Sequence, residues 1–143
     1  MQILFLLISF FLTPPNLGEN AQIELKLSNL KSSKGQIIVS VYPSENGFPY
    51  EPSTFFTFEK ENISNGFLTI LIPVSKPGNY ALSIVDDANR NMKMDKNLLG
   101  IPKEGFGFSN NAAPRGIRPP AFEDAQIKVH SARVKTSIEV KYY

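Results

Sequence analysis

Four oxygen-bearing side chains define the chemistry this sequence can attempt: Asp87, Asn89, Asn91 and Asp95, within the run Asp86–Asn97 (DDANRNMKMDKN). They fall on the first, third, fifth and ninth positions of a loop, a spacing at which alternate side chains of a tight turn converge on one hard cation. They are the candidate metal ligands, and calcium is the candidate cofactor. Calcium takes about 6–8 oxygens, whereas only Asp87 and Asp95 of this set carry charge. The sixth position, where Gly would ease the turn, is Met92; the twelfth, where a bidentate Glu would close the shell, is Leu98. The competing reading is a polar turn in which Asp and Asn side chains bond their own backbone.

Other chemistries find less support. Asp86, Asp87, Glu104, Glu123 and Asp124 would suit acid–base work if burial separated their pKa values. The same span also carries Arg90, Lys93, Lys96, Lys103, Arg115 and Arg118, which predicts a solvated, salt-bridged surface and a protein that is not an enzyme. Zero Cys excludes disulfides, cysteine nucleophiles and zinc-cysteine sites. The one His, His130, reads as a turn residue. Gly100, Gly105 and Gly107 lack the Lys-Ser/Thr ending of a phosphate cradle and read as positions that need glycine's backbone freedom. Lys+Arg 15 against Asp+Glu 13, a formal charge of +2, argues against a nucleic-acid partner.

The elements that must position this loop are strands. Gln22–Leu30 alternates Ile23, Leu25 and Leu27 with polar residues, as a half-buried strand does. A turn at Lys31–Gly35 predicts a hairpin into Gln36–Tyr42. Phe55–Lys60 is a short aromatic strand, Asn65-Gly66 a type I′ turn signal into Phe67–Ile72, and Pro77-Gly78 a type II turn signal, with Gly78 at positive φ, into Asn79–Asp86. Phe122–Val129 and Lys135–Tyr142 complete about seven strands. The fold expected is all-β: a single antiparallel β-sandwich with one long ordered loop. That loop, residues 87–121, shows no regular element. Its Leu98, Leu99, Ile101, Phe106, Phe108 and Ile117 predict that it folds back on the core rather than staying disordered.

Ahead of the strands, Ile3–Leu12 is an apolar run too short for the roughly 20 residues of a membrane span. It has the length of a secretory signal's apolar region, ended by Pro14-Pro15. The division expected is a signal peptide over 1–21 and a β-sandwich domain over 22–143, exported to the periplasm or outside the cell, with no stable membrane span after cleavage.

The acidic run, followed by NLLGIPKEGFGFSNNA (Asn97–Ala112) and PPAFEDA (Pro119–Ala125) and preceded by KPGNYALSIVDD (Lys76–Asp87), resembles the DUF2141 family of exported bacterial proteins. The resemblance implies an immunoglobulin- or transthyretin-like sandwich and no established activity. This chain departs from the family's usual loop in having Asp86 for a common His, Ala88 for Glu, and Arg90 and Met92 for two Gly residues. The function expected is a non-catalytic binding or structural module of the cell envelope, with an envelope protein or glycan as partner and calcium as stabiliser of the loop. The alternatives are a carboxylate-dependent hydrolase of an envelope polymer, using Asp87 and Glu104, and an assembly module that engages an edge strand beside Phe55–Phe58.

Overall fold

A computed structural model describes residues 21–116 and 118–143. The expected signal peptide, residues 1–21, lies outside the described residues but for Ala21, and Ile117 lies outside them too. Among the described residues eight strands are arranged in two sheets: β1 Ala21–Ser28, β2 Gln36–Tyr42, β3 Thr54–Glu59, β4 Leu68–Val74, β5 Gly78–Asp87, β6 Gly105–Phe108, β7 Ile127–Val129 and β8 Arg133–Glu139. One sheet has the order β4-β1-β8. The other has the order β3-β2-β5-β6, with β7 also paired to β5. Ala21, at the expected cut, opens β1 opposite Val74 and is buried.

Period-2 alternation makes each sheet two-faced, and the inner faces share one core. Ile23, Leu25 and Leu27 meet Leu68, Ile70 and Ile72 from one sheet and Ile37, Val39, Leu82 and Ile84 from the other. Each fully buried Leu or Ile contributes about 1.5–3 kcal/mol, so this shared layer dominates the stability.

Several expectations need correction. The Lys31–Gly35 link is not a hairpin: β1 and β2 lie in different sheets, and the chain crosses from one layer to the other. Gly35 (φ 80°) passes so close to the backbone of Asp87 and Ala88 that a Cβ would collide with both. The strands are not all antiparallel, since β8 returns parallel to β1 with Gln22 opposite Arg133. The strand expected over Phe122–Val129 begins instead as a single helical turn, α1 Phe122–Ala125, and only Ile127–Val129 pairs. The Asn65-Gly66 turn is as predicted, with φ of 51° and 78° and reciprocal bonds between Ser64 and Phe67. Gly78 is not among the positive-φ glycines; it already belongs to β5, opposite Val129.

The long segment does contain regular structure. β6 lies along β5, with Ser83 opposite Phe108, while β7 takes the earlier part of the same flank, with Tyr80 opposite Ile127. Between these two short pairings Leu82, which faces Val41 of β2 on its other side, has no strand partner on this flank. Buried Ser109 fills the gap: its Oγ accepts from the Leu82 amide at 2.9 Å and donates to the Ala125 carbonyl. Gly105 and Gly107 serve by lacking a side chain rather than by unusual φ. A Cβ on Gly105 would lie 2.5 Å from the Tyr142 ring, and one on Gly107 would run into Ile138.

Candidate functional site

β5 ends in two adjacent carboxylates, and successive strand residues face opposite sides, so each serves its own network. Both are buried, at 4% exposure for Asp86 and 0% for Asp87. Glu104 is 7% exposed. The solvated acidic surface expected from the charge balance is therefore corrected for these three acids, which lie in the interior because each has donors waiting there.

Asp87 organises the loop. Its Oδ1 accepts from the Asn91 amide at 3.1 Å. Its Oδ2 accepts from the Met92 amide at 3.0 Å and from Gln36 Nε2 at 2.8 Å. This wraps the backbone around one carboxylate. Arg90 and Met92, which replace the usual glycines, still take the left-handed conformation, with φ of 59° and 63°. A non-Gly residue held there costs about 1–3 kcal/mol, which the bonds to Asp87 offset. Asn89 Oδ1 accepts from the Asn91 amide at 3.1 Å and Asn91 Oδ1 from the Lys93 amide at 2.9 Å, the self-bonded polar turn expected of Asx residues.

Asp95 closes the ring. Asn89 Nδ2 donates to it at 2.7 Å and Asn91 Nδ2 at 3.0 Å to both oxygens. These bonds, Asn89's first, hold its carboxyl below the usual range. Glu104, entering from the start of β6, accepts from the Ala88 amide at 3.1 Å and the Asp95 amide at 3.2 Å. It ties both ends of the loop to the sheet. Burial pushes its carboxyl up against those two bonds. On the outside, Arg90 forks onto Glu59 of β3 at 2.9 and 2.5 Å, and its bonds hold the Glu59 carboxyl below its ordinary value.

The four predicted ligands thus come together in part. Asn89, Asn91 and Asp95 meet side chain to side chain, and Asp87 lies beneath them, joined through the Asn91 main chain. The donor set suits a hard cation in being all oxygen with two carboxylates. It fits calcium only with the Asn89 and Asn91 amides turned over, because both direct Nδ2 at Asp95. Among the described residues no group of three or more His, Cys, Asp or Glu is placed to hold a metal ion.

Beyond Asp95 the chain makes a second turn. Asn97 Oδ1 accepts from the Leu99 and Ile101 amides at 2.9 and 3.0 Å, and Gly100 takes φ 77°. This turn lifts apolar residues off the domain: Leu98 is 105% exposed, Leu99 84% and Ile101 40%. That corrects the expectation that they fold back on the core; of the apolar set, Phe108 does so, packed against the buried Tyr42, Ala81 and Phe122, while Phe106 lies half-buried against Tyr143.

Asp86 anchors the second network. Lys60 Nζ donates to its Oδ1 at 2.6 Å and to the Lys34 carbonyl at 2.8 Å. Tyr142 donates its hydroxyl to Oδ2 at 2.6 Å, and burial first, then this bond, push the phenol far above its ordinary value. Sequence reasoning missed Lys60, Gln36 and Ser109. The available signal was Tyr142, at the end of the strand expected over Lys135–Tyr142, since a phenol packed against a core needs a polar partner. The strand at Phe55–Phe58 is an edge: β3 pairs with β2 and ends its sheet. Phe56 and Phe58 pack on the core, while Phe55 is 53% exposed.

The family described as an uncharacterized protein conserved in bacteria, DUF2141, matches residues 25–137. The chain belongs to the DUF2141 family. No curated protein and no solved structure matches it. The DUF2141 match takes in the whole Asp87 loop, its exposed tip, and Lys60 and Asp86 of the second network; Tyr142 lies past its end.

Proposed function

We propose that this DUF2141 chain is an exported, non-catalytic binding module of the cell envelope, periplasmic or extracellular, with an immunoglobulin- or transthyretin-like sandwich as its scaffold. The Asp87-centred loop is a rigid stalk, and its tip, Leu98 and Leu99, is the contact surface. The observation that carries this reading is that pairing: two solvent-facing leucines on a loop whose base is fixed by buried carboxylates. Exposed apolar side chains raised together on an ordered loop mark an interaction site. Their chemistry favours an apolar pocket on an envelope protein over a glycan. Export rests on the leader Ile3–Leu12.

The test is envelope association of the mature chain against its L98S/L99S variant. Both residues are exposed, so the variant is expected to keep its melting temperature within about 0.5 kcal/mol of stability. The wild type should sediment with isolated envelopes and the variant should stay in solution. Equal sedimentation of the two would move the contact surface elsewhere, and the first alternative is the β3 edge. That second reading is favoured by the open side of β3, its exposed Phe55, and a groove of about 570 Å³ lined by Val41, Phe56, Val74 and Tyr80. An added strand would find both unpaired backbone groups and side-chain pockets there.

Calcium is the remaining part of the proposal. It would be held by Asp95 and the turned-over amides of Asn89 and Asn91, above Asp87, and would stabilise the loop. A native-state ligand at 100 times its Kd adds about 2.7 kcal/mol. Treatment with EDTA should therefore lower Tm, and excess calcium should restore it. A Tm unchanged through both steps removes calcium and leaves the hydrogen-bonded turn to stand alone. The carboxylate hydrolase is the weaker alternative, because Asp87 and Glu104 spend their oxygens on loop amides.

A further inference from the structure

We propose that Lys60 and Asp86 form a covalent isopeptide bond within the folded chain. The two side chains are 0% and 5% exposed, with Nζ 2.6 Å from Oδ1. They meet at the end of the apolar layer, beside the buried residues Ile37 and Ile84. A charged pair in such a place loses its hydration at a cost of several kcal/mol per ion, and condensation removes both charges. The fold also supplies proximity: reacting groups held in contact gain effective molarities of up to about 10⁵–10⁸ M.

The step balances without any co-reactant. One ammonium proton passes along the short hydrogen bond to Asp86 Oδ1, giving a neutral amine and a carboxylic acid. The Nζ lone pair then attacks Cγ, forming the C–N bond. A second proton moves from nitrogen to Oδ1, the Cγ–Oδ1 bond breaks, and water leaves. The third proton remains as the amide N–H. Tyr142, which donates to Oδ2 at 2.6 Å, holds that oxygen as negative charge gathers on it during the attack.

The product is already provided for. The retained Oδ2 becomes the amide carbonyl with the Tyr142 hydroxyl on it. The remaining N–H keeps the Lys34 carbonyl, which Nζ already meets at 2.8 Å. Both polar atoms of the new bond inherit partners, as a buried amide requires.

The denatured mass of the purified wild-type chain tests this. It should be lighter than the sequence requires by one water molecule, and a tryptic digest should contain a branched peptide joining the segments around Lys60 and Asp86. Lys60→Arg and Asp86→Ala should show the full mass. Asp86→Asn should lose ammonia instead of water, and Tyr142→Phe should form the link more slowly. A full-mass wild-type chain after folding overturns the proposal. So does a water loss that persists in Lys60→Arg, which would place the dehydration at another site.

Discussion

Asp87→Ala should lower stability by about 3–4 kcal/mol, a fall in Tm of roughly 10 °C. The carboxylate is wholly buried and accepts from the Asn91 and Met92 amides and from Gln36. Each buried donor left unsatisfied costs about 1–3 kcal/mol. The two loop amides can recover water once the turn opens, which keeps the total below the sum. Loss of the carboxylate also removes what holds Arg90 and Met92 at positive φ, so the loop would relax away from its turn. Asp87→Asn should cost less, about 2 kcal/mol, because one acceptor survives. Urea unfolding of the three proteins measures this. A change under about 0.5 kcal/mol for Asp87→Ala, the range of an ordinary surface substitution, would show that the loop does not depend on its carboxylate.

The second large effect is at Lys60. Lys60→Met leaves Asp86 buried with Tyr142 as its one remaining side-chain donor among the described residues. An uncompensated buried charge costs about 3–5 kcal/mol, whereas replacing both partners by apolar residues is often neutral. The double variant Lys60→Met/Asp86→Leu should therefore be more stable than Lys60→Met by about 3–5 kcal/mol. Neither protein can form the link, so the comparison reads the buried charge alone. Equal stabilities would mean that Asp86 reaches water in the single variant.

The strands were legible because their signals are local. Ile23-Leu25-Leu27 alternates, and Asn65-Gly66 has the positive-φ pair its turn demands. The layer assignment was not legible. Lys31–Gly35 has the composition of a hairpin turn, and what makes it a crossover is the pairing of β1 with β4 and β8, contacts far apart in sequence. β6 escaped because Gly105–Phe108 is too short for a period, and its two glycines read as positions of backbone freedom. They are there because Tyr142 and Ile138 leave no room for a Cβ. At the candidate site, the polar residue types identified the loop. The burial of Asp86 and Asp87 depends on donors from β2, from Lys60 after β3 and from Tyr142 after β8, which no spacing within the loop encodes. Lys60 was hidden for the same reason: it follows an exposed strand edge and is buried by its partner. The leucines were misjudged because apolar residues usually mark a core, and here an Asn97-centred turn lifts them clear of it.

The central claim is that buried carboxylates make the loop a rigid support for its apolar tip. Amide hydrogen exchange on the folded wild-type chain, resolved at Asn91, Met92 and Asp95, tests it most directly. These three amides are bonded to Asp87 and Glu104, and they should exchange far more slowly than the Leu98 amide at the tip. Exchange of Asn91, Met92 and Asp95 at the rate of an open chain would contradict the account.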